Sequence, residues 1–172
     1  SLSESSVFDA LTLYISEDAG VFYNAKAEIA LIKAHLSIRN QLTDDMSKKL
    51  DKIAENVDPV AVYAEEEKTK HNVRALVNVL KTMVPEEVAP LVHLGATSVD
   101  ILDTSMSARM RDAVQKVVLP ELKELETKLC EIADREAETP QVGRTHGQHA
   151  VPITFGYAMA EYVSRLGKSI IE

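Results

Sequence analysis

The chain has 172 residues, enough for one domain, or for one domain and the opening segment of a second, with a real core. Apolar residues make up 45% of it and glycine and proline number only six each, which excludes a disordered or low-complexity chain. The formal charge of −8 comes from 19 basic residues dispersed among 27 acids, so no basic stripe marks a nucleic-acid surface, and any anionic ligand must be held by a local cluster of donors.

A lone cysteine, Cys130, excludes an internal disulfide and a cysteine-based metal cluster, and its place among helix-period apolar residues predicts a buried packing role. No run approaches the roughly eighteen apolar residues of a membrane span, and no basic region followed by an apolar one opens the chain. A cytoplasmic, reducing location with no membrane partner is expected. The start at Ser1-Leu2-Ser3, without an initiator methionine, suggests an interior beginning, and the end at Ile170-Ile171-Glu172 falls inside an apolar pattern.

Apolar residues recur at three and four positions almost throughout, so the expected fold is all-α. Ser16, followed by Glu17 and Asp18, reads as a helix cap with first-turn acids. Val21, Phe22, Ala25, Ile29, Ile32, Leu36 and Ile38 or Arg39 then carry an apolar face to about Gln41. Thr43 restarts the pattern through Met46, Leu50, Ile53 and Ala54, and Pro59 after Asp58 opens a short helix to about Glu67. Val73, Leu76, Val77, Leu80 and Val84 mark the next helix, stopped at Pro85 and followed by a short segment from Glu86 to Val92.

After His93-Leu94-Gly95-Ala96-Thr97, Ser98 reads as the cap of a helix running to about Glu138 and bent at Pro120. Its stripe of Val114, Val117, Val118, Leu122, Leu125, Leu129 and Ile132 calls for partner helices in a bundle. Residues 1–97 are therefore expected to form an N-terminal helical domain, and 98–172 the beginning of a bundle domain. The segment from Thr139 to Pro152 breaks the period and reads as a structured loop before a last helix from Ile153.

Three polar clusters fall at helix boundaries: Thr69-Lys70-His71-Asn72, His93 to Asp100, and Gly143 to His149. Helix N-termini expose unpaired amides that favour anions, so Thr97 and Ser98 could cradle a carboxylate or phosphate, with a plain cap as the alternative. Lys70 and His71 offer a cation and an imidazole, or simply a solvated helix start. His93 alone reads as a packed or loop-bonded histidine. His146 stands out because Arg144, Thr145, Gln148 and His149 crowd it and imidazole transfers protons near neutrality. A metal site is disfavoured, since no histidine pair has the i, i+4 spacing with a helical glutamate.

The run Gly143-Arg144-Thr145-His146-Gly147-Gln148-His149-Ala150-Val151-Pro152-Ile153-Thr154-Phe155-Gly156 resembles a signature of adenylosuccinate lyases in the fumarase/aspartase superfamily. His93 to Thr104 resembles the preceding signature and Thr69 to Val73 the one before. The resemblance implies an all-α enzyme that assembles as a homotetramer through a central bundle. Its sites are built from several subunits and use neither metal nor organic cofactor. The implied reaction, in purine nucleotide biosynthesis, eliminates fumarate from adenylosuccinate or the related succinyl-aminoimidazole carboxamide ribotide. Position by position, His146 matches the general acid on the leaving nitrogen and Thr145 a neighbouring substrate contact. Thr97 and Ser98 match the pair holding a carboxylate, and Lys70, His71 and Asn72 the substrate-binding triplet, where the family usually has aspartate at the place of Asn72. His93, Gln148 and His149 rank second.

Two pieces of the family pattern are missing. Nothing in Ser1 to Gly20 matches the Arg-Tyr pair that grips the phosphate, and the Gly-Ser-Ser loop carrying the basic serine would lie beyond Glu172. The chain thus reads as an N-terminal fragment, inactive alone. Other members of the superfamily, such as argininosuccinate lyase or a carboxymuconate cycloisomerase, are the nearest alternative. A non-catalytic helical oligomerisation module is the alternative from a different class.

Overall fold

The structure, a computed structural model, describes residues 4–171. It is helical apart from one two-stranded hairpin, and it divides into two compact units, the first ending at Ala113 and the second opening at Val114.

The first unit opens with α1 (Glu4–Ile15), a segment to which the sequence reading assigned no element. α2 (Glu17–Ile38) starts where Ser16 Oγ accepts from the Ala19 amide at 3.1 Å, and α3 (Asp44–Glu55) where Thr43 Oγ1 accepts from Met46 at 3.1 Å. α4 (Pro59–Thr69) is capped by Asp58, and α5 (Asn72–Met83) by the imidazole of His71. A 3-10 turn at Ala89–Leu91 leads to α6 (Ser98–Ala113). Ile29, Ile32, Leu50, Leu76 and Leu80 are sealed in one core with Val73 and Val77. Each such side chain contributes about 1.5–3 kcal/mol on burial. Ile38, expected on the apolar face, is instead 80% exposed, because α2 ends there and the chain turns through Asn40 in the left-handed region.

α6 packs on α2 and α1, so the segment after Ser98 belongs to this same compact unit. The Arg109 guanidinium fixes that contact by donating to the carbonyls of Tyr14 (2.7 Å) and Ser16 (2.8 Å), across the α1–α2 junction. Tyr23 on α2 donates to Asp112 Oδ2 at 2.8 Å, and Tyr63 on α4 to Asp18 at 2.7 Å.

In the second unit, Val114–Val118 is π-helical and α7 (Leu119–Arg135) follows. The helical run expected from Ser98 to about Glu138 is unbroken from Ser98 to Arg135, and what the sequence did not show is the wider winding just before Pro120, which occupies the first turn of α7. Proline has no amide to donate and its ring collides with a normal preceding turn, so widening that turn accommodates it without a break. Cys130 is exposed, against the expectation of burial, because no residue of α7 is buried in this chain.

The segment expected as a loop is a β-hairpin of β1 (Pro140–Thr145) and β2 (Gln148–Thr154), antiparallel, with an irregularity between Val142 and Arg144. Gly143 sits at that irregularity, where a Cβ would lie 2.7 Å from the Val151 carbonyl. α8 (Phe155–Ile171) then pairs with α7. Its start is tied down by the Phe155 and Gly156 amides donating to the carbonyls of Thr139 (2.8 Å) and Glu136 (2.9 Å).

Gly156 is buried, and a Cβ there would collide with the Ala133 carbonyl and the Ala137 backbone. Gly156→Ala is therefore expected to destabilise the second unit by about 1–3 kcal/mol, read as a lower unfolding midpoint in denaturant. Burial and the neighbouring carboxylates push the Tyr23 and Tyr63 hydroxyls up to about 12. A raised folded value stabilises the fold below the ordinary value of 10.0 and is lost as pH climbs to about 12. The Tyr23→Phe/Tyr63→Phe double variant is expected to lose less stability than wild type across that interval in alkaline melts.

Candidate active site

Two of the three polar clusters meet in the first unit. His71 is the N-cap of α5, and its Nδ1 accepts from the Arg74 amide at 3.3 Å. With Nδ1 engaged as an acceptor, the proton of the neutral ring sits on Nε2, which lies 3.3 Å from Ser98 Oγ and donates to it. The cap thus fixes the tautomer, and the tautomer fixes the bond to Ser98.

Ser98 is free for this contact because it is the first helical residue of α6 and not the cap, which corrects the expectation. Thr97 precedes the helix, and its amide donates to Asp100 Oδ2 at 2.8 Å, so the side chain three residues on reaches back to the helix start. One amide of the expected anion cradle is therefore occupied by Asp100.

His71, Ser98 and His93 line one cavity of about 210 Å³ together with Val73, Arg74 and Val77. The first turns of α5 and α6 both border it, and among the described residues no carboxylate lines it, so its polarity suits an anion. His93 lies in the left-handed region at φ 61°, and its Nδ1 is 2.6 Å from Oε1 of Glu28, a glutamate on α2 with no exposed surface. Burial raises the proton affinity of the Glu28 carboxyl, and the bond to His93 partly offsets it.

The triplet Lys70-His71-Asn72 lines two cavities. Lys70 and Asn72 line a larger cleft of about 1080 Å³ with Tyr63, Glu66, Glu67 and Arg109, whereas His71 lines the smaller cavity. The cations of the larger cleft are already engaged, Lys70 Nζ by Glu67 at 3.0 Å and Arg109 by the two carbonyls of the α1–α2 junction. Asn72 Oδ1 accepts from the adjacent Val73 amide at 2.7 Å. Two imidazoles, those of His71 and His93, line the smaller cavity.

In the second unit, His146 and Gly147 form the two-residue turn of the hairpin, with φ 51° and 70°. Positive φ at both positions matches the twist of the strands, and glycine at the second carries it without strain. Thr145 pairs with Gln148 and Arg144 with His149, so the whole candidate set stands exposed around one tip.

Sequence reasoning missed Glu28, which looks like any helical glutamate until burial is known, and Arg74, whose helix-start position gave no sign of a cavity wall. Among the described residues no group of three or more histidine, cysteine, aspartate or glutamate side chains is placed to hold a metal ion, and no helix is long and apolar enough to cross a membrane.

Residues 3–170 match the family described as Lyase, and the chain belongs to that family, within the fumarase/aspartase superfamily. The N-acetyl-S-(2-succino)cysteine lyase of Enterococcus italicus is 32% identical over 157 residues, covering 90% of this chain and 34% of that protein. The adenylosuccinate lyase of Archaeoglobus fulgidus is 33% identical over 156 residues, covering 91% and 34%. A fumarate lyase from Mesorhizobium sp. BNC1 superposes with a TM-score of 0.80 at 25% identity, covering 95% of this chain and 38% of that one. The chain spans about a third of the length of the curated relatives it matches.

His71→Ala removes both the α5 cap and the Ser98 partner and is expected to cost about 1 kcal/mol of stability. His71→Asn, which can still cap, is expected to recover most of that loss in urea denaturation. Equal loss in the two variants would show that the imidazole stabilises α5 by some other contact.

Proposed function

We propose that this chain supplies part of the active site of a lyase that eliminates fumarate from adenylosuccinate and the related succinyl-aminoimidazole carboxamide ribotide in purine nucleotide biosynthesis. The observation that carries this reading is the cavity in which His71, His93 and Ser98 meet, formed by the first two signatures, together with the third signature exposed on the hairpin.

In the reaction a base takes the proton from the carbon beside a substrate carboxylate, the C–N bond breaks as the double bond forms, and His146 Nε2 donates a proton to the departing nitrogen. Fumarate and the nucleotide leave. Thr97 and Ser98 hold a carboxylate near the start of α6, with Ser98 already oriented by His71. Lys70, His71, Asn72 and Thr145 contact the rest of the substrate, and His93, Gln148 and His149 lie at its edges. In this reading the base is not among these 172 residues, which alone are inactive. By the resemblance, the enzyme is a homotetramer whose sites draw on several copies, working in the cytoplasm without a cofactor, and the stripe on α7 offers a face for self-association.

One observation favours a second reading, elimination of fumarate from a succinyl thioether. A relative named for a succinocysteine substrate matches this chain as well as the adenylosuccinate lyases do.

The full-length protein containing this chain is expected to release fumarate, read by its ultraviolet absorbance, from adenylosuccinate and not from N-acetyl-S-(2-succino)cysteine. His146→Asn, which suits the left-handed turn, is expected to lower kcat about 10²–10⁴-fold with little change in melting temperature. Turnover of the thioether alone would establish the second reading, and an active His146→Asn enzyme would remove His146 from the chemistry.

A further inference from the structure

Glu28 has no exposed surface, yet only one of its carboxylate oxygens is bonded: Oε1 meets His93 Nδ1 at 2.6 Å, while Oε2 has no partner. Around it stand Ala25, Ile29 and Ile32, an apolar setting that makes an unshared negative charge expensive. A methionine of similar size would fill the place at lower cost, so packing does not account for the glutamate. The His93 side chain is 19% exposed, lines the 210 Å³ cavity with His71, Arg74 and Ser98, and has no hydrogen-bond partner at Nε2 among the described residues.

We propose that Glu28 is a positioning residue that holds His93 by Nδ1, so that the ring presents an Nε2–H donor to an anionic oxygen group, carboxylate or phosphate, in this cavity. The inference deepens the proposed lyase reading and rests on it. Proton bookkeeping supports the donor. The pair can carry its shared proton on Glu28 with a neutral ring protonated at Nε2, or on His93 as an imidazolium facing a carboxylate. These two forms differ only by movement across the 2.6 Å bond, and both present Nε2–H. The remaining form, a bare Nε2 beside an ionised Glu28, leaves a net buried charge, which the burial that raises Glu28's proton affinity disfavours. The charged and titratable groups facing the ring are Glu28 from α2 and His71 and Arg74 from the start of α5. An arriving anion draws the proton toward His93, and Glu28 then balances the imidazolium.

The test uses the full-length protein with succinate and inorganic phosphate as probes, each titrated calorimetrically against wild type, Glu28→Met, His93→Gln and the double variant. Wild type is expected to bind one of the two probes, which distinguishes carboxylate from phosphate. Glu28→Met is expected to weaken that Kd about tenfold without lowering the melting temperature, since an apolar side chain replaces a buried charge. If Glu28 acts through His93, the double variant weakens binding no further than His93→Gln alone. A far-downfield ring proton from the short Nδ1–H–Oε1 bond should appear in the wild-type NMR spectrum and vanish in Glu28→Met, a readout that survives should His93→Gln fail to fold. Wild-type affinity in a folded Glu28→Met protein, or binding of neither probe by wild type, would overturn the inference. Failure of the lyase reading is separate, and shows as probe binding that depends on Glu28 in a protein that releases no fumarate from adenylosuccinate.

Discussion

The contact between Glu28 and His93 constrains more of the first unit than any other single interaction. It ties the middle of α2 to the turn that leads into α6, and it holds His93 at φ 61°, a conformation that few non-glycine residues adopt without a compensating bond. The turn it anchors runs directly into Thr97 and Ser98, and the α5 cap at His71 meets it from the other side. Removing His93 alone costs about 3–5 kcal/mol because the Glu28 carboxylate then stays behind, buried and unpaired.

The second unit follows a different logic. α7 and α8 pair with each other, but α7 contributes no buried residue, and Leu125, Tyr157, Tyr162 and Ile171 remain exposed. The hairpin adds almost no burial of its own. Its shape comes from backbone requirements: glycine at the Val142–Arg144 irregularity, two residues of positive φ at the tip, and amide contacts that lock its base to the end of α7. His146 is thus carried on a short, stiff projection rather than packed in a wall.

Much of this was legible in the sequence because it rests on local chemistry. Ser16, Thr43 and Asp58 each cap the helix they announce, and the 3.6-residue period of α5 places Val73, Leu76, Val77 and Leu80 inside as expected. The hairpin escaped because the half-buried positions of β1 are Gln141 and Gly143 while Val142 is exposed, so burial follows no apolar alternation, and because its turn is His-Gly and not the familiar Asn-Gly. The π turn escaped because Pro120 predicts a disturbance without saying whether the helix bends or widens. Ser98 reads as the cap in the sequence because the role of Thr97 depends on Asp100 reaching back. Glu28 could not be recognised at all, since its importance comes from a histidine 65 positions away. Likewise, nothing in adjacent residues shows that Lys70 and Asn72 face one cleft and His71 another.

The central claim is that the cavity at the starts of α5 and α6 and the hairpin tip serve one substrate. A structure of the full-length assembly with a bound succinyl nucleotide tests it most directly. The account predicts a substrate carboxylate within hydrogen-bond distance, about 3 Å, of Ser98 Oγ, and the His146 ring of the same or another copy at the leaving nitrogen. A ligand held elsewhere, or every His146 tens of ångströms from every Ser98 hydroxyl, would contradict it.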